Sequence, residues 1–125
     1  MWVFLNNAMF SIVEDRKDNG RFVVRSRGKD EIEKVFDVPA IVNQGSDYLY
    51  RAFIPRERVE EVMVNELRRI KYDNFKASIS YSDKERKYAY GQVWSVMFNF
   101  QENQAEDLGI RDYETPWYLN YKDHK

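Results

Sequence analysis

The chain has 125 residues, of which 43% are hydrophobic, and its 20 lysines and arginines nearly balance its 21 aspartates and glutamates. It contains no cysteine, so disulfides, thiolate nucleophiles, iron–sulfur clusters and cysteine-ligated zinc are excluded. The formal net charge of −1 argues against a general polyanion binder, because such domains commonly have a pI above about 9. The length suits one domain of mixed α and β structure.

The N-terminal segment predicts antiparallel strands. Residues 2–5 and 8–14 are rich in β-branched and aromatic residues, and Asn6-Asn7 between them tolerates a tight turn. One long strand with a bulge at Asn6 fits the same residues. Asp18-Asn19-Gly20 is a stronger turn signal, and it joins residues 8–14 to a strand over Arg21–Arg27.

Two helices and two further strands are predicted after Gly28. A short helix over residues 30–36 has acidic residues in its first turn, where the helix dipole favours them. Short strands over residues 39–42 and 48–54 follow, separated by a polar loop. Pro55 suits the first position of a helix that runs to Ile70. The expected buried stripe of that helix comprises Val59, Val62, Met63, Leu67 and Ile70.

The segment after Ile70 is predicted to contain a further, longer helix. Residues 72–81 fit either one helical turn around Phe75 and Ile79 or an ordered connector. Ser82-Asp83-Lys84-Glu85 matches a capping box, so a long helix is expected to follow. The expected apolar face of this helix comprises Tyr90, Val93, Trp94, Met97 and Phe98.

The composition becomes acidic from residue 102. Residues 102–125 have a net charge of −3, whereas residues 1–101 have a net charge of +2. We therefore expect one α+β domain over residues 1–101, in which helices pack on one face of an antiparallel meander sheet. An acidic, aromatic C-terminal tail over residues 102–125 is expected to follow it.

No catalytic or metal-binding pattern is recognisable in the chain. The one histidine, His124, lies next to the C-terminus, and Glu57, Glu60 and Glu61 are interleaved with arginines. The scattered glycines form no phosphate-binding loop. We therefore expect no cofactor, no metal and no catalytic residue, with a small hydrolase built from converging carboxylates as an alternative. The start lacks the features of a secretory signal, so a cytoplasmic protein is expected.

The strand over residues 21–27 carries the first candidate site. Alternation places its three arginines on one face and Phe22 and Val24 on the other. The strand over residues 48–54 adds either its two tyrosines or its arginine to that face. Arginine beside tyrosine on an open sheet suits RNA, although a solvated outer face explains the same residues. The candidate anion-binding residues are Arg21, Arg25, Arg27, Tyr48, Tyr50 and Arg51.

The C-terminal tail is the second candidate site. Residues 112–121 hold four aromatic side chains, which are costly to leave in water. They either fold back to complete the core or form an arm for another subunit or a partner protein, where tyrosine and tryptophan are enriched. The candidate partner-binding residues are Tyr113, Trp117, Tyr118 and Tyr121.

Four segments carry a family resemblance: residues 2–13, 48–52, 70–76 and 90–94. Together they resemble a family of small uncharacterised proteins of bacteria and their phages, over about residues 2–100. The resemblance brings no established activity. It implies a compact cytosolic accessory protein that, in a phage or prophage setting, binds and modulates a host component.

We therefore expect a non-catalytic module that binds another protein, through the tail aromatics or the arginine-bearing sheet face. The alternative is an RNA- or nucleotide-binding module that uses Arg21, Arg25 and Arg27. Homo-oligomerisation through the tail is compatible with both. No membrane contact is expected, because no apolar run approaches the roughly 20 residues of a membrane span.

Overall fold

The computed structural model describes residues 1–109, which fall into two compact units, one over Met1–Lys84 and one beginning at Glu85. The strands of the first unit are β1 Trp2–Phe4, β2 Met9–Glu14, β3 Arg21–Ser26, β4 Ile41–Val42 and β5 Tyr50–Pro55. Its helices are α1 Glu31–Phe36, α2 Arg56–Arg68 and α3 Phe75–Ser78. The helix α4, Lys84–Leu108, forms the described part of the second unit.

The five strands form one antiparallel sheet in the order β1-β2-β3-β5-β4. The first three strands form a meander, and β5 then pairs with β3 while β4 lies outside it. The predicted α+β class is therefore confirmed. The Leu5 N–H donates to the Ala8 carbonyl at 2.8 Å, which closes a tight turn between β1 and β2. Residues 2–14 thus form two strands, and the single long strand is the wrong alternative.

The core of the first unit lies between one face of the sheet and helices α1 and α2. The rings of Phe10 on β2 and Phe36 on α1 meet edge to face with their centroids 5.1 Å apart. This geometry is favourable for aromatic pairs. The core residues are Ala8, Phe10, Ile12, Val24, Ile32, Phe36, Ala52, Ile54, Val59 and Val62. The expectation that helices cover one face of the sheet is confirmed for α1 and α2.

Helix α2 is buried only in its first half. Val59 and Val62 lie in the core, but Leu67 is 67% exposed and Ile70, which follows the helix, is 47% exposed. The predicted buried stripe is therefore wrong at its C-terminal end. Helical spacing identifies which side chains share a face, but it does not say how far neighbouring elements cover that face.

Strand β4 is shorter than predicted, and residues 72–81 contain a short helix. Strand β4 covers only two residues, Ile41–Val42. Of the two alternatives for residues 72–81, the helical turn occurs, as α3. The Asn74 side chain accepts a hydrogen bond from the Ala77 N–H at 3.0 Å, an N-cap that starts this turn.

The long helix predicted after the capping-box segment is confirmed as α4. Within it, the rings of Trp94 and Phe98 stack with their centroids 5.1 Å apart. Val93 and Met97, which we expected to be buried, are exposed. Helix α4 continues through residue 102, where the change in composition suggested the start of the tail.

Candidate functional site

Arg25 on β3 and Arg51 on β5 lie directly opposite each other on the face of the sheet that α1 and α2 leave uncovered. Side chains alternate along a strand, and the neighbouring Val24 and Ala52 belong to the core, so the two arginines point away from it. Like charges in directly opposed positions destabilise a sheet. A bound anion would remove that repulsion.

Both guanidinium groups are held by serines. The Arg25 Nη2 donates to the Ser11 Oγ at 2.7 Å, and the Arg51 Nη2 donates to the Ser46 Oγ at 2.5 Å. The Nε atoms of both arginines are buried and meet no acceptor in the described part of the chain. A buried donor without an acceptor costs about 1–3 kcal/mol, so the position of each arginine is locally unfavourable for stability.

Tyr48 supports two of the arginines. The Cζ atoms of Arg25 and Arg27 lie 4.7 and 4.1 Å from the centroid of its ring, distances typical of cation–π contacts. The Arg27 Nη1 also donates to the Asp47 carbonyl at 2.6 Å. Tyr48 is 4% exposed, so its ring is a buried surface on which the two guanidinium groups lie. We call Arg25, Arg27, Arg51 and Tyr48 the arginine cluster.

The arginine cluster is not neutralised by acidic side chains of residues 1–109. The ion pairs of that part of the chain involve Arg21, Arg56, Arg58 and Arg69, and none includes an arginine of the cluster. Within residues 1–109, the three positive charges of the cluster therefore have no carboxylate partner. Guanidinium groups bind carboxylate and phosphate through paired hydrogen bonds, so this is a site for an anion.

Arg21, a predicted site residue, is neutralised instead. Its Nε donates to the buried Asp15 Oδ2 at 2.5 Å, and the Lys17 N–H donates to the Asp15 Oδ1 at 3.1 Å. The hydrogen bond from Lys17 and then that from Arg21 hold the pKa of Asp15 below its ordinary value. Arg21 also lies over the ring of Phe53, at 4.8 Å from the centroid. It therefore belongs to the structure of the sheet rather than to the cluster.

The placement of Tyr50 with the arginines is wrong. Tyr50 pairs with the buried Ser26 and packs against the core, on the opposite face from Arg51. Tyr48 and Arg51 were expected to be alternatives, yet both lie beside Arg25. The reason is that β5 begins at Tyr50, so strand alternation does not extend back to Tyr48.

The two serines that hold the arginines were not predicted. Ser11 is almost fully buried, and it follows Phe10 and precedes Ile12 in the sequence of β2. A small polar residue in an otherwise apolar strand could have indicated that Ser11 contacts another polar side chain. Ser46 lies in a loop and gave no signal, because its contact with Arg51 depends on the loop conformation.

Apolar side chains flank the arginine cluster along the same row of the sheet. Trp2 pairs with Ser11 and is 70% exposed, and Ile41 pairs with Arg51 and is 56% exposed. The row therefore crosses all five strands, with an exposed apolar residue at each end and the arginine pair between them.

The remaining candidates are the aromatic residues of the tail, a metal site and a membrane-spanning helix. Tyr113, Trp117, Tyr118 and Tyr121 lie outside the described residues. Within residues 1–109, no three His, Cys, Asp or Glu side chains converge in a way that could hold a metal ion. None of the helices in that range combines the length and the apolar composition that crossing a bilayer requires.

Comparisons with protein-family models, with curated proteins and with solved structures return no match to this chain.

Proposed function

We propose that the protein is a non-catalytic module that binds an acidic, partly apolar segment of a partner protein at the arginine cluster. The observation that carries this proposal is the opposed pair Arg25 and Arg51, two partly exposed guanidinium groups that form no ion pair with a carboxylate of residues 1–109. A carboxylate of a partner offers the negative charge that the pair lacks.

The flanking apolar side chains favour a protein over a nucleic acid. Arginine and large aromatic residues are enriched at protein interfaces, and exposed Trp2 and Ile41 add apolar area on either side of the cluster. RNA-binding sheets instead stack bases on exposed aromatic rings. Tyr48 is buried beneath two arginines and Tyr50 packs on the core, so neither tyrosine offers that surface. The exposed ring of Trp2 is separated from Arg25 by strand β2.

The cellular setting is part of the proposal. A cytoplasmic module of this kind suits the resemblance to small proteins of bacteria and their phages, for which the partner is a protein of the host cell. The charge of the arginine cluster supports binding of a protein partner, because a positively charged surface attracts acidic segments and increases the rate at which they associate with it.

The test is a fluorescence-anisotropy titration of the full chain with a labelled peptide in which glutamates alternate with leucines. A peptide with glutamine at every glutamate position is the control probe. We expect the acidic peptide to bind and its affinity to fall as the salt concentration rises. Arg51→Gln is expected to weaken binding about ten-fold or more, because a hydrogen bond to a charged group is lost. Arg68→Gln, an exposed arginine on α2, is the matched control and leaves binding unchanged.

Two outcomes would contradict the proposal. One is equal affinity for the acidic and the neutral peptide at low salt, or no binding of either. The other is tighter binding of an oligouridylate than of the acidic peptide, with the same loss in Arg51→Gln, which would establish the RNA-binding alternative.

A further inference from the structure

A groove lies between the β1–β2 hairpin and the C-terminal half of α2, within the first unit. Its volume is about 490 Å³, which falls within the range of about 300–1,000 Å³ typical of small-molecule sites. Its apolar lining includes Val3, Met63, Leu67, Ile70 and Tyr72. We call it the hairpin–helix groove. It is distinct from the arginine cluster, since α2 packs on the opposite face of the sheet.

The groove explains the exposed end of the α2 stripe. Leu67 and Ile70 continue the helical spacing of the buried Val59 and Val62, but the sheet does not cover them. Their apolar surfaces line a concavity rather than a convex part of the surface. A ligand of matching shape would remove that surface from water without displacing any part of the core.

The rim of the groove has an excess of positive charge. The Glu66 carboxylate is mostly buried and pairs with Arg69, whose Nη1 lies 3.3 Å from Glu66 Oε1. The Arg69 side chain is largely exposed, and a guanidinium has five N–H donors, so this contact leaves others for a ligand. Lys71 follows on the rim and forms no ion pair within residues 1–109. Two cations thus face one anion.

We propose that the hairpin–helix groove binds a small amphipathic carboxylate, of the class of medium-chain fatty acids. The alkyl chain lies on Met63, Leu67 and Ile70, and the carboxylate lies at Arg69 and Lys71. The volume sets the size of the ligand, the lining sets its apolar character, and the rim sets the sign of its head group.

The test is isothermal titration calorimetry of the full chain with octanoate, decanoate and 1-decanol. Burying each methylene tightens binding about four-fold, so decanoate is expected to bind about fifteen-fold more tightly than octanoate. Decanoate is also expected to bind more tightly than 1-decanol. Lys71→Gln should weaken binding of decanoate several-fold and leave that of 1-decanol unchanged.

Two variants of α2 separate a specific site from general adsorption. Leu67→Asn places a polar group in the groove, whereas Val64→Asn makes a similar change at an exposed apolar position of the same helix outside the groove. Both positions are exposed, so both variants are expected to fold. We expect Leu67→Asn to lose most of the affinity for decanoate and Val64→Asn to keep it.

The proposal is overturned by an absence of decanoate binding, by an equal effect of the two α2 variants, or by equal affinities for decanoate and 1-decanol. Binding of the acidic peptide to Leu67→Asn gives an independent readout. It is expected to match the unmodified protein, so failure of the groove and failure of the arginine cluster are distinguishable.

Discussion

Arg25 and Arg51 face each other across β3 and β5, and each has a buried Nε–H that meets no acceptor in residues 1–109. Neither is needed to satisfy a buried carboxylate, in contrast to Arg21, which pairs with Asp15. The pair therefore opposes folding through charge repulsion and through two buried donors that have no acceptor in residues 1–109. Such a conflict between stability and local chemistry is typical of a binding site.

Arg51→Glu separates the two effects. The substitution replaces a repulsive cross-strand pair by an attractive one with Arg25, so the free energy of unfolding should rise by about 0.5–1 kcal/mol. The same change should abolish binding of the acidic peptide. Urea unfolding and the anisotropy titration measure the two effects, with Arg68→Glu on α2 as the control. Arg51→Gln loses the same hydrogen bond to Ser46 without adding a negative charge, so an Arg51→Glu variant no more stable than Arg51→Gln would contradict the repulsion between these arginines.

Asp15 makes the stability of the sheet dependent on pH. Its pKa is lowered in the folded state by the hydrogen bonds from Lys17 and Arg21, so its stabilising effect is present above the pKa of the unfolded chain, near 4. The effect is lost as the pH falls through the lower, folded-state pKa. We expect the free energy of unfolding to decrease in this acidic range, and Asp15→Asn to flatten that dependence and to be less stable at neutral pH.

Urea unfolding at a series of pH values checks this prediction. Asp18→Asn is the matched control, because it removes only the exposed ion pair of Asp18 with Arg21, at 3.9 Å. Asparagine keeps the side-chain oxygen that accepts the Gly20 N–H at 2.9 Å, and the contact between Asp15 and Arg21 stays in place. The same acid dependence in Asp15→Asn as in the unmodified chain would show that other carboxylates are responsible.

Gly28 gives room to a buried carboxylate. A Cβ atom at this position would lie 1.4 Å from Glu31 Oε2, while Glu31 Oε1 accepts a hydrogen bond from the Met9 N–H at 2.9 Å. Gly28→Ala therefore displaces the carboxylate and should lower the free energy of unfolding by about 1–3 kcal/mol. The cost should be smaller in a Glu31→Ala background, which a double-mutant cycle in urea measures. Equal costs in both backgrounds would refute this explanation.

The contact between Phe10 and Phe36 anchors α1 to the sheet. Both side chains are fully buried, so Phe36→Ala should lower the free energy of unfolding by about 3–5 kcal/mol. Phe53→Ala, on the face of the sheet opposite α1 and α2, removes a half-exposed ring and its contact with Arg21, and should cost about 1 kcal/mol. Similar losses for the two variants would contradict the assignment of the core to the helix-covered face.

Local patterns predicted much of the fold. The alternation in β3 identified its polar and apolar sides, and Asn19-Gly20 marked the turn between β2 and β3. The order of strands was not predictable, because the insertion of β5 between β3 and β4 depends on non-local pairing. Nothing in the sequence of β4 or of β5 indicates which strand lies next to it in the sheet.

The candidate site depends on the same non-local pairing. The sequence placed Arg25 and Arg27 together, but the register that opposes Arg25 and Arg51 comes from the pairing of β3 with β5. Tyr50 was misplaced because both faces of the predicted strand carry large apolar groups, so the sequence did not show which face is buried. Tyr48 lies beside Arg25 together with Arg51 because β5 begins at Tyr50, so strand alternation does not include Tyr48.

The most direct test of the arginine cluster is NMR of the arginine Nε–H groups in the full chain during titration with the acidic peptide. We expect the Nε–H resonances of Arg25 and Arg51 to shift together with added peptide, since a carboxylate bound at their guanidinium groups changes the electrostatic environment of both Nε–H groups. The resonance of Arg68 should not move, and the neutral peptide should have no effect. Unchanged Arg25 and Arg51 resonances at a peptide concentration that saturates binding would contradict the proposal that this pair binds the acidic segment.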